Sequence, residues 1–254
     1  MKYFKKKAER SRGMERMEEP RLKVIARIYT EYPQKFGIPR QSGMETATEA
    51  TIVFEPPYRN PDALRGLESF SHIWVLWQFS KAVKPEGDWS PTVRPPRLGG
   101  NRRMGVFATR SPYRPNAIGL SSLKLKEVVY TKNRGPVLKV LGADILDGTP
   151  IYDIKPYLTF TDSHPDAVCG FADAHLSDWL EVVFSERASK DVSLKTQKKL
   201  KSVLKMDPRP SYQNDPQRVY KMTALGFEIS FCVKEQTLTV LDLKGADIAP
   251  EQKE

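Results

Sequence analysis

With 254 residues, 39% hydrophobic and 10% aromatic, the chain has material for one large domain or for a domain with a smaller companion. Its 41 Lys and Arg against 31 Asp and Glu leave a net charge of +10, which suits a nucleic-acid partner better than a membrane, since no apolar run reaches transmembrane length. Two cysteines, Cys169 and Cys232, have no metal-ligand spacing and are too few for a disulfide framework, so the expectation is buried thiols in a cytoplasmic protein with no metal and no membrane partner.

Residues 1–21 lack the apolar core of a signal peptide, and Glu9, Glu15, Glu18 and Glu19 oppose a mitochondrial leader. They read as a basic, mobile tail, with added affinity for nucleic acid as the sharper alternative. From there the chain is predicted to be β-rich. Strands are expected over Leu22–Tyr29, Ala50–Glu55 and Phe70–Phe79, the last with apolar residues on both faces and so expected to be buried on both. Further strands follow at Met104–Thr109, Leu120–Tyr130, Pro136–Ile145 and Pro150–Tyr157, separated by turns rich in Pro, Gly and Asn. Asp62–Ser69 is the best short helical candidate in this half. Strands at this spacing without intervening helices point to a barrel or sandwich.

Near residue 165 the pattern changes. Ser177–Met206 has little Gly and no Pro, and Leu200, Val203 and Leu204 fit one helical face with lysines around the rest. Asp207–Pro210 (DPRP) stops that helix, because proline lacks the N–H and clashes with the preceding turn. GFEISFCVKE and QTLTVLDLKG then read as a closing hairpin. The expected organisation is a β-barrel domain over 22–165 and a smaller α+β domain over 166–254.

Between Ser90 and Lys126 there is no Asp or Glu, while Arg94, Arg97, Arg102, Arg103, Arg110, Arg114, Lys124 and Lys126 are all present. Pro95, Pro96, Pro112 and Pro115 stiffen this run, so its arginines sit on fixed loops facing an anionic partner. Arginine's planar fork matches phosphate or carboxylate and keeps its charge at working pH.

Common catalytic signatures are missing: no P-loop, no dinucleotide-binding glycine pattern, no nucleophile elbow and no HExxH. A lone His72 inside the strongest strand is more often a core histidine than a site residue. Three constellations rise above this background. FGIPRQSG (Phe36–Gly43) sets Arg40 and Gln41 behind the stiff Pro39. ATRSPYRPNAIG (Ala108–Gly119) holds Arg110, with Tyr113 able to stack and Asn116 able to read a polar edge. ADILDGTPIYDIKPY (Ala143–Tyr157) gathers Asp144, Asp147 and Asp153 around an Asp147-Gly148 turn, for which a structural role is the simpler reading.

With PTVRPPRLGGN, RGLESFSHIW and DPRPSY, these words closely resemble the TrmO (TsaA-like) family of S-adenosylmethionine-dependent tRNA N6-methyltransferases, over roughly Leu22 to Tyr212. The resemblance implies a mainly β fold: a single-sheeted β-barrel with a smaller α+β C-terminal domain, working as a homodimer. It implies methyl transfer from S-adenosylmethionine to N6 of threonylcarbamoyladenosine, immediately 3′ of the tRNA anticodon at position 37. It also implies a cofactor pocket at Pro39, Arg40, Gln41, His72, Ile73, Arg110, Leu120, Asp144, Ile145, Leu146 and Asp147, and so raises His72 and the Asp147 turn above their structural readings. Arg110, Tyr113 and Asn116 are the residues expected to position the reacting groups; no general base is evident. Arg94, Arg97, Arg102, Arg103, Lys198, Lys199 and Arg209 are expected to face tRNA phosphates. A non-catalytic RNA-binding barrel is the alternative. A hydrolase would need a nucleophile-and-base pair that the sequence does not offer.

Overall fold

The structure, a computed structural model, describes residues 21–81, 89–95, 102–175, 179–190, 192–209 and 215–246. The predicted tail (all but Arg21) and Arg97 lie outside these residues.

Strands β1 (Ala26–Tyr29), β2 (Glu49–Phe54) and β3 (His72–Gln78) come first, followed by a short antiparallel ribbon of β4 (Thr92–Val93) and β5 (Met104–Gly105). Then come β6 (Ile118–Thr131), β7 (Gly135–Leu141) and β8 (Thr149–Pro156). Excluding the ribbon, these strands close into an antiparallel barrel in the order β1-β2-β7-β6-β3-β8. Period-two alternation drives the closure. Ile73, Val75 and Trp77 of β3 and Leu123 and Leu125 of β6 point inward with Ile28, Ile52, Leu138, Val140 and Ile151 to fill the interior. The expectation that β3 is buried on both faces fails: His72, Trp74, Leu76 and Gln78 are only partly covered, because a small closed barrel packs one face of each strand.

Two other local expectations change. Met104–Thr109 is not one strand; it turns after Gly105 into a 3-10 turn over Val106–Ala108 that buries Val106 and turns Phe107 outward. Asp62–Ser69 forms parts of two 3-10 turns, Pro61–Leu64 and Leu67–Ser69, separated by the left-handed Gly66.

After α1 (Thr159–Asp162) the second unit begins. Ser177–Met206, read as helical, splits: EVVF forms β9 (Glu181–Phe184), and among its described residues helix is confined to α2 (Glu186–Lys190) and α3 (Leu194–Leu204). Ser193 caps α3 by accepting from the Thr196 N–H at 3.2 Å. Then β10 (Tyr220–Ala224) and the predicted hairpin of β11 (Phe227–Lys234) and β12 (Thr237–Gly245) complete a sheet of order β10-β11-β12-β9, with β9 parallel to β12. Leu200, Val203 and Leu204 of α3 join the core of this sheet, as the apolar face predicts.

The two units are stitched by the segment between β1 and β2. Tyr32 is buried in the second unit's core, and Phe36 and Ile38 pack against it. The Leu225 N–H donates to the Glu31 carbonyl at 3.0 Å, and Gln34 Nε2 donates to the Thr223 carbonyl at 3.3 Å. Gly37 has φ +95, a left-handed conformation that favours glycine, and it packs beside the Met222 side chain. A strap that leaves the barrel, docks on the second sheet and returns thus carries the IPRQ loop. Neither thiol is buried as expected: Cys169 is exposed and Cys232 half-buried.

Candidate functional site

The site is built where three loops meet at one end of the barrel. Trp77 on β3 pairs with Gly119 on β6, and a Cβ at Gly119 would meet the indole Cε2 at 2.3 Å. Only glycine lets the indole lie across the strand. There the indole Nε1–H donates to Ser121 Oγ at 2.9 Å, and Ser121 Oγ donates in turn to Asp144 Oδ1 at 2.6 Å. Ser121 is 1% exposed, a hydroxyl among the inward side chains of β6. Burial pushes the Asp144 carboxyl above the usual aspartate range; the Ser121 hydroxyl, the backbone N–H groups of Asp144 and Ser42, and the Arg110 charge oppose that shift.

The strap brings the second part. The Gly43 N–H donates to the Gly142 carbonyl at 3.0 Å, fixing Ser42 beside Asp144. Arg110, from the acid-free run, donates through Nη1 to Gln41 Oε1 at 2.5 Å. Gln41 in turn donates from Nε2 to the Arg40 carbonyl at 2.6 Å. Arg110, Gln41 and Asp144, drawn from three separate words of the sequence, therefore form one cluster: a guanidinium, an amide and a half-buried carboxylate.

The remaining expected pocket residues divide. Pro39 is buried, and Arg40 turns away to donate through Nη2 to the Asp207 carbonyl at 2.6 Å. IPRQ therefore touches DPRP, and Arg40 ties the strap to the second unit. Ile73 and Ile145 are 0% exposed, their side chains in the barrel core, so they can offer a ligand only backbone. Leu146 is half-buried. Asp147 accepts from the Thr30 N–H at 2.8 Å, and the φ of Gly148 is +72, so the Asp147-Gly148 word is the tight turn its composition suggests. His72 pairs with Lys124, three positions along β3 from Val75, the partner of Ser121. That places it roughly 10 Å away along the strand and on the outer face, where Ser71 Oγ lies 2.9 Å from its Nδ1. Leu120 is on the same outer face and 55% exposed.

Tyr113 and Asn116 are exposed on the loop that carries Arg110, and Arg114 folds back to donate to the Thr109 carbonyl at 3.1 Å. Of the expected RNA contacts, Arg94, Arg102, Arg103 and Lys198 are exposed. Lys199 Nζ instead lies 2.5 Å from Glu31 Oε2 of the strap. Arg209 is drawn inward onto Asp207, with Nε to Oδ1 at 2.9 Å and Nη2 to Oδ2 at 3.0 Å. Those two charges are compensated within the fold.

Trp77, Ser121 and Ser42 belong to the cluster and were not singled out in the sequence. A serine at an inward position of an alternating strand is the signal that could have found Ser121. Glu45 is a further omission. It is 2% exposed, accepts from the N–H groups of Ala47 and Thr48 and from the Thr48 hydroxyl, and accepts from Ser202 Oγ of α3 at 2.9 Å.

The cluster suits a zwitterion, since a guanidinium can take a carboxylate while Asp144 takes an ammonium or hydroxyl. Among the described residues no group of His, Cys, Asp and Glu could hold a metal, and no helix is long and apolar enough to cross a membrane.

The chain is similar to known proteins over most of its length. Residues 27–163 match the tRNA-methyltransferase O N-terminal domain, and residues 177–246 match the TrmO C-terminal domain. The chain is 40% identical over 237 residues to tRNA (adenine(37)-N6)-methyltransferase of Escherichia coli, covering 90% of this chain and 99% of that one. It is 38% identical over 232 residues to the putative S-adenosylmethionine-dependent methyltransferase RcsF of Pseudomonas aeruginosa, covering 88% and 97%. The crystal structure of TrmO from Pseudomonas aeruginosa superposes with a TM-score of 0.72 at 32% identity, covering 92% of this chain and all of that one.

Proposed function

Because the chain belongs to the TrmO family, we propose that it transfers a methyl group from S-adenosylmethionine to N6 of adenine 37 of tRNA, in its threonylcarbamoylated form. The observation that carries this reading is the Arg110–Gln41–Asp144 cluster at the edge of an acid-free, arginine-bearing loop. The cofactor, when bound, supplies an electrophilic methyl group on a sulfonium sulfur.

In this reading Arg110 holds the methionine carboxylate and Asp144 receives the amino group or a ribose hydroxyl. Ser121 and the Ser42 N–H hold Asp144 in one rotamer. Tyr113 and Asn116 position the modified adenine. The adenine N6 is a poor nucleophile, its lone pair shared with the ring and the carbamoyl group, and its proton leaves to solvent as the N–C bond forms and the S–C bond breaks. Much of the acceleration therefore comes from fixing nucleophile and methyl in line. No acidic group is needed to stabilise the transition state, because the sulfonium charge disappears as the methyl moves. A carboxylate for cofactor binding alone, beside a loop free of acids, fits that requirement.

Arg94, Arg102, Arg103 and Lys198 grip tRNA phosphates, and the enzyme works as a homodimer in the cytoplasm. Support for a second copy comes from the outer barrel face, where Leu120 is 55% exposed on the same side as His72. A partner there would bring the outer pocket residues into use.

The test is transfer of labelled methyl from S-adenosylmethionine to a defined panel of tRNAs with and without the threonylcarbamoyl group. Label in the threonylcarbamoylated tRNAs alone is expected. Label in neither set, together with no thermal stabilisation by S-adenosylmethionine, would leave only the RNA-binding barrel.

A further inference from the structure

We propose that Phe107 and Trp89 form a stacking platform for an unpaired base of the tRNA anticodon loop next to the target adenine; this rests on the tRNA-methyltransferase reading. Phe107 is 71% exposed and Trp89 46% exposed, with ring centroids 6.1 Å apart and planes tilted by 33°. Exposing two large aromatics is unfavourable for a fold that has buried the neighbouring Val106 to 1%. The local geometry holds them out. The Val106 N–H donates to the Pro91 carbonyl at 2.9 Å, and β4 and β5 pair Thr92 with Gly105. The Thr109 N–H and hydroxyl both donate to the Val106 carbonyl, at 3.2 and 2.8 Å. Val106 is thereby held in its buried position, and the 3-10 turn leaves Phe107 facing solvent.

Charge identifies the occupant. The ribbon that carries the two rings also carries the exposed Arg94, Arg102 and Arg103, and no Asp or Glu lies between Ser90 and Lys126. Arg103 Nη1 donates to Thr92 Oγ1 at 3.1 Å, which holds its guanidinium alongside the ribbon. Phe107 lies within that acid-free run and Trp89 borders it, just after Asp88; aromatic rings beside exposed cations match the pattern by which proteins hold single-stranded nucleic acid, in which bases stack and phosphates are neutralised. An apolar protein partner would have no use for the arginines. Phe107 is three residues from Arg110, so the two backbones lie at most about 10 Å apart, within reach of neighbouring nucleotides.

The experiment measures binding of a threonylcarbamoylated anticodon stem-loop RNA to the full chain without S-adenosylmethionine, so that affinity is read apart from methyl transfer. Phe107→Ala is expected to weaken binding on the order of tenfold, Trp89→Ala by less, and Phe107→Tyr hardly at all. RNAs with one abasic loop position should show the same loss in the wild type at one site. That same abasic RNA should cost Phe107→Ala nothing further. Equal affinity of Phe107→Ala and the wild type overturns the platform, and so does a Phe107→Leu variant that binds as well as Phe107→Tyr. A shift of Phe107→Ala to a smaller species in solution also overturns it, by making the rings a contact between copies. Failure of wild-type methyl transfer with these binding differences intact would count against the enzymatic reading alone.

Discussion

Between Glu31 and Thr48 the chain buries Tyr32, Glu45 and Thr48, whereas the described residues between Trp89 and Ala117 keep most of their arginines and aromatic rings exposed. The strap places Glu45 and Thr48 out of solvent and satisfies each from nearby donors and acceptors. The arginine loop leaves Arg94, Arg102, Arg103, Phe107 and Tyr113 exposed. The segments meet at the Gln41–Arg110 hydrogen bond. Precision on one side and accessibility on the other are both needed, since the cofactor must be held in one pose while a large RNA comes and goes. Mutations in the strap should therefore be read in stability, and mutations in the loop in binding and rate.

The largest expected effect tests the buried side. Glu45→Ala removes the carboxylate from the N–H and hydroxyl of the buried Thr48, and a buried donor left unsatisfied costs about 1–3 kcal/mol. A loss of roughly 3 kcal/mol by urea denaturation is expected, with Ser202→Ala losing less. If Glu45→Ala unfolds like the wild type, the Glu45 carboxylate does not hold the strap.

Next comes Arg110→Ala. Its side chain is exposed, so stability should hold while methyl transfer falls steeply. Loss of a charge-assisted contact to a carboxylate, about 1.5–3 kcal/mol, corresponds to a roughly ten- to hundredfold rise in the Kd for S-adenosylmethionine. Lost methyl transfer with unchanged cofactor affinity would instead place Arg110 on the RNA side of the site.

Asp144 sits at the junction and should behave like neither class. Burial raises its pKa, so the ionised form is disfavoured by the fold. Its unfavourable contribution is absent below the ordinary aspartate range and grows as pH rises through the unfolded and then the folded pKa. Asp144→Asn should therefore fold at pH 7 as stably as the wild type or more so. Its affinity for S-adenosylmethionine should still fall, by about tenfold if a charged partner is lost. In the wild type, cofactor affinity should weaken as pH drops through a midpoint above the usual aspartate range. A flat profile would remove Asp144 from cofactor binding.

The barrel was readable because its strands repeat with period two, as in Ile73-Val75-Trp77, and the closing hairpin for the same reason. EVVF is hidden inside a helical pattern because four residues, three of them β-branched or aromatic, give too little periodicity to outweigh the lysine-rich run behind them. Arg110 and Asp144 were legible as parts of words, but their meeting was not: Glu45 and Ser202 are 157 residues apart, and Arg110 and Gln41 are 69 apart. Contacts at such separations are set by how barrel and sheet pack together, which no local pattern encodes. Lys199 and Arg209 show the reverse error. Each looks like a surface cation in the sequence; the distant Glu31 of the strap pairs with Lys199, and Asp207, only two residues away, pairs with Arg209.

Neighbouring lysines on α3 give the finest version of the contrast, and the smallest expected effect. Lys198 is exposed, while Lys199 Nζ is 2.5 Å from Glu31 Oε2, with 29% and 40% of the two side chains exposed. A pair this accessible contributes less than about 1 kcal/mol. Lys199→Met should lower stability by no more than that and leave the salt dependence of tRNA binding unchanged. Lys198→Met should do the opposite, leaving stability alone and reducing the slope of log affinity against log salt by roughly 0.7–0.9 if one phosphate contact is lost. Equal slopes for the two variants would mean that the strap releases Lys199 when RNA binds. The ion pair would then be a contact made only in the free enzyme, and the division between a buried strap and a displayed loop would no longer hold at α3.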